Sequence, residues 1–279
     1  MTIKKTKIEF GDFQTPRDLA DAVTAFLRDA GILPSAIVEP TCGHGSFALA
    51  AQDVFPKTRQ IFAFDINDAY ISALRKKIRD TNSAHWHVTR QDFFTYNWKE
   101  FFSSLRDEIL VLGNPPWVTN AALWALGSDN LPKKTNFQNH VGFAAKTGKA
   151  NFDISEWMLI KLLEALDGRR GSLAMLCKTS TARKVLRHGW LNRFNIGRAS
   201  LHLIDAAMHF GVSVDACLLV VHTGVPDLLS TAGVYADLSF DHKLTTFGLV
   251  GRDLVADVDG YHRLRDLDGV GYYTWRSGV

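Results

Sequence analysis

Residues 36–45 read Ala36-Ile37-Val38-Glu39-Pro40-Thr41-Cys42-Gly43-His44-Gly45: a short apolar run, a carboxylate, and a Gly-x-Gly turn that opens into a helical segment. An apolar run without alternation marks a strand covered on both faces, as parallel strands are. The glycines let the backbone approach a ligand closely, and the following helix presents its N-terminus to it. Glycine at this turn also serves tight packing in many α/β proteins, so the turn alone names no ligand.

Outward from this unit the pattern repeats in both directions. Thr15-Pro16 followed by Leu19, Val23, Phe26 and Leu27 predicts an N-capped helix with Pro at its first position, ending near Gly31. Ile61-Phe62-Ala63-Phe64 predicts a strand ending at Asp65, Asn67 caps a helix to about Arg79, and His85 to Val88 leads to Asp92. A strand at Ile109-Leu110-Val111-Leu112, a helix from Asp153 to Leu166 and a strand from Ser172 to Leu176 follow. Strands alternating with helices predict an α/β fold, a mostly parallel sheet with helices on both faces. Leu201 to Ile204 and Ala216 to Val221 read as two further strands, only about a dozen residues apart without a clear helix, which predicts an antiparallel final strand. Residues 120–151 are too long for an ordinary connection of about 2 to 6 residues and are expected to form a functional loop.

Composition narrows the class. With 46% hydrophobic and 22% charged residues the chain can bury an ordinary core, and long disorder is excluded. A formal charge of +3 is too small to identify a nucleic-acid protein, since such binding rests on local patches. Cys42, Cys177 and Cys217 are odd in number and far apart, so neither disulfides nor a zinc site is expected, and a reducing cytoplasm fits best. His188, His202, His209 and His222 have no metal-ligand spacing, and no metal is expected. The basic start MTIKKTKIEFGDF lacks the apolar stretch of a signal peptide, and no window approaches ~18 apolar residues. No membrane association is expected.

Two acids line up with the glycine turn. Asp65 ends the second strand about 20 residues after the glycines, where a carboxylate can accept both ribose hydroxyls of a nucleoside cofactor. Asp92 follows the third strand and can accept from an adenine amine. Singly, each would more often be a helix cap or a solvated side chain. With Glu39 they stand in register along one sheet edge, where ligands of open parallel sheets bind. A nicotinamide enzyme competes, because Ala48 is permitted at the position of its third glycine.

The fourth strand ends in Gly113-Asn114-Pro115-Pro116-Trp117, which decides the chemistry. Two consecutive prolines remove two donors and stiffen the chain, holding the Pro115 carbonyl outward. With the Asn114 side-chain oxygen it makes two acceptors converging on one point, a cage for the two hydrogens of an aryl amine. Accepting both favours a pyramidal nitrogen whose lone pair can attack a methyl donor. Trp117 can stack on the base for roughly 1 to 3 kcal/mol. The bland alternative is a polyproline turn with a core Trp.

Phe13-Gln14-Thr15-Pro16, Glu39 to Gly45, Asp65, Asp92-Phe93 and Asn114 to Trp117 resemble motifs X, I, II, III and IV of the γ-class DNA adenine amino-methyltransferases of restriction-modification systems, with motif X first. Asp153 to Leu163 resembles motif V, and His209-Phe210 to Val221 motif VIII. The resemblance implies a class I, Rossmann-like fold dependent on S-adenosylmethionine (SAM), and methyl transfer to the exocyclic amine (N6) of an adenine flipped out of double-stranded DNA in a bacterial or archaeal cytoplasm. It implies that Thr15, Glu39 and Gly43 surround the methionine end of SAM, that Asp65 holds the ribose and that Asp92 with Phe93 holds the adenine ring. Phe13, Gly45, Ile66 and Asn114 complete the cofactor set. Phe210 would pack on the target base opposite Trp117, where Tyr is common in the family.

A flipped base requires cations on the flanking backbone. The loop supplies Lys133, Lys134, Lys146 and Lys149. Lys178, Arg183, Lys184, Arg187, Arg193 and Arg198 form a second run with no acidic residue between them; its alternative is a solvated helix face. Residues 1–230 are expected to form the catalytic domain, and 231–279, where the apolar pattern weakens, a trailing segment towards a target-recognition domain. That domain or a restriction subunit is the expected partner. Competing readings are a methyltransferase for an RNA base amine or a protein glutamine, or a SAM- or DNA-binding subunit of a larger assembly.

Overall fold

The computed structural model describes residues 14–78, 85–106, 108–118 and 153–267. Phe13, Lys133, Lys134, Lys146, Lys149 and the loop at 120–151 lie outside the described residues.

Helix α1 (Arg17–Asp29) buries Leu19, Ala20, Val23, Phe26 and Leu27 along one stripe. It starts after Pro16, which occupies the cap position with no side-chain cap bond, so Thr15 does not cap it and is buried instead. The elements that follow are β1 (Ala36–Glu39), α2 (Ser46–Val54), β2 (Gln60–Asp65), α3 (Asp68–Ile78), β3 (His85–Arg90), α4 (Trp98–Ser104) and β4 (Ile109–Gly113). Then come α5 (Ile154–Leu166), β5 (Gly171–Lys178), α6 (Thr179–Leu191), β6 (Ile196–Ile204), α7 (Ala206–Phe210) and β7 (Ala216–Thr223). The last are β8 (Thr231–Tyr235), β9 (Lys243–Val250), β10 (Asp253–Val255) and α8 (Val258–Leu264).

Among the described residues ten strands form one sheet in the order β10-β9-β8-β6-β7-β5-β4-β1-β2-β3. Strands β1 to β5 are mutually parallel, and β7 is antiparallel to both β5 and β6. The dozen residues expected to lack a helix contain the single turn and a half of α7. Beyond residue 230 the sheet continues: β8 runs parallel to β6, and β9 and β10 add antiparallel pairs. Their apolar signal is weak because β9 leaves Lys243 and Leu244 exposed and carries Thr245 and Thr246 half-buried.

Side chains alternate across a strand, and β1 feeds two cores accordingly. Ala36 and Val38 join Phe62, Phe64 and Val111 under α5 and α6. Ile37 joins Ile61, Leu110 and Leu112 under α1 and α2. The same alternation directs Glu39 and Asp65 to the α2 side, which decides what they bind.

Two histidines in the sheet carry a pH dependence. Burial, with the charge of Arg198 adding, pushes His222 down to about 4, and its Nδ1 lies 3.0 Å from Ser172 Oγ. Burial also lowers His202, which is stacked on Tyr235 at 4.9 Å. Because the folded values lie below the ordinary 6.5, the unfolded chain takes up protons first. Their contribution is complete above about pH 6.5 and falls as the pH drops, that of His222 being lost towards about 4. Thermal melts should show a smaller acid-induced drop in Tm for His222→Gln than for the parent; equal drops would remove His222 from the acid sensitivity.

Candidate active site at the carboxyl edge of the sheet

The strand order reverses between β1 and β4, and the helices that follow them, α2 and α5, pack on opposite faces of the sheet; the carboxyl ends at such a reversal are where open sheets of this kind form their ligand crevice. Glu39, Asp65 and Gly113 end the three strands around it.

The turn after β1 is held from below and from the side. Gly43 and Gly45 adopt φ of +50° and +77°, a left-handed region that glycine enters at little cost. Cys42 N donates to Phe64 O at 2.7 Å, and Gly43 N donates to Asp65 Oδ2 at 2.8 Å. Asp65 Oδ1 accepts from Asn67 N at 2.8 Å. Asp65 is thus fixed beside the turn, as expected, and Ile66 follows half-buried. Glu39, only 2% exposed, accepts from Ala48 N at 2.9 Å. Burial raises its carboxyl well above the usual range despite that bond, with Asp65 adding to the effect. Glu39 therefore serves the site through the turn, by anchoring the start of α2. The Cys42 thiol is raised far up by burial and by the charges of Glu39 and Asp65, so it is no nucleophile.

Gln14, within Phe13-Gln14-Thr15-Pro16 but with no role assigned from the sequence, reaches the turn. Its Oε1 accepts from His44 N at 3.1 Å, and a Cβ on Gly43 would sit 2.6 Å from that same oxygen. The signal was its place beside Thr15-Pro16. On the β3 side, Asp92 Oδ1 caps Phe94 N at 2.8 Å. Phe93 is buried in the core against Trp98, at 4.9 Å between ring centroids, while Phe94 stays half-buried.

After β4 the chain keeps its polar turn at the crevice. Asn114 is half-buried with its Oδ1 shielded from solvent, and Pro115 is buried. Trp117 is 6% exposed, donates from Nε1 to Leu176 O at 3.3 Å, and meets Phe210 edge to face at 5.1 Å and 69°. The two aromatic residues expected to flank a base are brought together, but in contact with each other. Two stacking contacts of about 3.5 Å need roughly 7 Å between rings, so a base between them requires Phe210 to move. Phe210 ends the five-residue α7, next to Gly211 at φ +67°.

Several cations of the basic run also have partners within the chain. Lys178 Nζ pairs with Asp153 Oδ2 at 2.6 Å, and Lys184 Nζ with the buried Glu156 at 3.3 Å. Arg183 lies over the Phe247 ring at 5.6 Å, and Arg198 over Phe240 at 5.5 Å. These cations neutralise acids at the start of α5 or cover a ring of β9 and one of the β8–β9 connection. Arg187, Arg193 and Arg198 are exposed, and Lys184 keeps 57% of its side chain in solvent despite its pairing.

The sequence profile of the N-6 DNA methylase family matches residues 2–185. The chain is 40% identical over 282 residues to the type II methyltransferase M.NspV of Nostoc sp., covering 99% of this chain and 58% of that protein. It thus spans little more than half the length of that curated relative. Among solved structures, the type I restriction-modification methyltransferase subunit of Streptococcus thermophilus superposes with a TM-score of 0.51 at 16% identity, over 92% of this chain and 53% of that one. A Listeria monocytogenes protein described as a class I S-adenosylmethionine-dependent methyltransferase gives 0.50 at 14% identity, over 81% and 67%. These likenesses establish the class I methyltransferase fold. With the family profile covering about two thirds of its length, and with the turn, the strand-end acids and Asn-Pro-Pro-Trp gathered at one crevice, the chain belongs to the N-6 DNA methylase family.

Proposed function

We propose that this chain transfers a methyl group from SAM to N6 of an adenine flipped out of double-stranded DNA, within a bacterial or archaeal restriction-modification or related system. The observation that carries this reading is the Asn114-Pro115-Pro116-Trp117 turn at the end of β4, beside the switch point. The catalytic unit would extend past residue 230 through the strands that continue its sheet, and a target-recognition region or restriction subunit would select the sequence.

The residues fit SAM on their own chemistry. A left-handed glycine turn lies against Asp65, and Asp92 stands at the next strand end. A carboxylate suits a ribose diol, and a second suits an adenine amine. When bound, SAM supplies an electrophilic methyl group on a sulfonium. Asp65 would hold the ribose, Asp92 the adenine edge, and Gln14 and Thr15 would close the side of the turn.

Asn114 Oδ1 and the Pro115 carbonyl would accept the two hydrogens of the target amine and favour a pyramidal nitrogen, whose lone pair forms the new N–C bond as the donor's S–CH3 bond breaks and its pair stays on sulfur. They are preorganised acceptors, so no histidine base is needed. The proton that the methylated nitrogen then sheds passes to solvent water, since neither acceptor is basic enough to keep it. The buried Trp117 supports the pocket wall, and Phe210 swings from it to meet the base.

The full-length protein with methyl-tritiated SAM, offered duplex DNA, RNA and a glutamine-bearing protein in one mixture, should label the DNA. Label on RNA or protein instead would replace the proposed substrate. Arg187→Ala should weaken DNA binding equally across sequences and reduce the salt slope by about 1, while Lys184→Ala, whose ammonium is paired with Glu156, should leave the slope in place. Equal slopes in parent and Arg187→Ala would leave that side chain a solvated one.

A further inference from the structure

The Asn-Pro-Pro-Trp turn is fastened where three elements meet. Trp117 Nε1 donates to Leu176 O, near the end of β5, at 3.3 Å. Ile154 N, in the first turn of α5, donates to Val118 O at 2.9 Å. Between these bonds lies an ion pair. Lys178, the last residue of β5, reaches Asp153 Oδ2 at 2.6 Å and also donates to Trp117 O at 3.4 Å. The pair is largely withdrawn from water, with side-chain exposures of 25% for Lys178 and 8% for Asp153. Asp153 is itself immobilised as the cap of α5: its Oδ1 accepts from Ser155 N at 3.0 Å and Ser155 Oγ at 2.6 Å.

Burying a pair of charges costs desolvation that their attraction often only balances, so stability alone is a weak reason for it. A neutral, well-packed pair could join β5 to α5. What a neutral pair lacks is a cation that the cap of α5 fixes in place and that a third element, the exit of β4, uses as a donor. We propose that Lys178 and Asp153 are positioning residues: their ion pair locks the carbonyl of Trp117 against β5 and α5, and so holds the acceptors of Asn114 and Pro115 in one orientation. Lys178 then belongs to the catalytic turn and not to a phosphate-binding run. The inference rests on the proposed amine chemistry for its effect on rate, and on geometry alone for its effect on the turn.

Two readouts separate these. In the full-length protein, Lys178→Met should speed amide hydrogen exchange at Ile154, whose N–H bonds the turn, because the turn loses an anchor. At saturating SAM and DNA the single-turnover rate should fall by about thirty-fold or more, since misplacement of about 1 Å can cost about a hundred-fold. SAM affinity should stay within about two-fold. Lys178→Arg keeps the cation and should recover most of the rate. Should Lys178→Met fail to fold, Lys178→Met with Asp153→Asn leaves no unpaired buried charge, and the same slow transfer and faster exchange are expected of it. Parental exchange and rate in either neutral variant would overturn the inference. So would a rate loss that follows loss of SAM affinity, or failure of both neutral variants to fold, which would make the pair part of the fold and nothing more. If the parent transfers no methyl to DNA, the proposed function fails, and the exchange result still decides the positioning role.

Discussion

With SAM saturating, Asn114→Ala should keep Tm close to that of the parent and lower the single-turnover methyl-transfer rate by about 100-fold or more, the scale of losing one preorganised partner of a developing charge. Asn114 stands immediately after β4, half-buried, with its Oδ1 shielded from solvent. An acceptor held out of water keeps its full strength for the amine and needs no reorganisation as the nitrogen pyramidalises. Removing it leaves one acceptor, the Pro115 carbonyl, for two hydrogens. Rapid-quench transfer with enzyme in excess reads the chemical step, and calorimetry reads SAM. A rate within a few-fold of the parent would remove the amine cage. Trp117→Ala is a different kind of change, because the ring is buried and hydrogen-bonded to Leu176; its truncation should cost about 3 to 5 kcal/mol of stability and so cannot isolate base stacking.

Asp65→Ala should weaken SAM binding by about 100-fold, roughly two charge-assisted hydrogen bonds at about 1.5 kcal/mol each. The carboxylate has two tasks that fail together. It accepts from the amides of Gly43 and Asn67 and fixes the glycine turn, and in the proposed function it also offers acceptors to the ribose of SAM. Asp65→Asn should not rescue, because one oxygen becomes an NH2 group that faces a backbone N–H. Titration calorimetry measures both variants, and parental affinity in Asp65→Ala would take the cofactor assignment away from this residue.

The parts of the fold that follow from local pattern were legible in the sequence. The unbroken apolar runs of β1, β2 and β4 read as strands because both faces are covered, and the glycine turn and strand-end acids follow from their position in those units. What escaped depends on partners distant in sequence. Lys178 and Lys184 read as free cations, since nothing nearby in the chain signals that Asp153 and Glu156, about 25 residues earlier, face them from α5. Glu39 reads as an acid of the sheet edge, and its bond to Ala48 N, nine residues on, has no local signal in the sequence. Phe93 and Trp117 carried the family's aromatic signature without revealing their burial. Strands β8 to β10 were missed because a half-covered strand with threonines and an exposed lysine has too little apolar signal.

The central claim is that the acceptor is the exocyclic amine of adenine in duplex DNA, held at Asn114 and Pro115. Full-length protein, SAM with a trideuterated methyl group and a duplex DNA library, digested to nucleosides and weighed by mass spectrometry, tests it most directly. The expected product is trideuteromethyl-N6-deoxyadenosine, formed by the parent and strongly reduced with Asn114→Ala. Label on cytosine, on another adenine nitrogen, or on no nucleoside at all would contradict it.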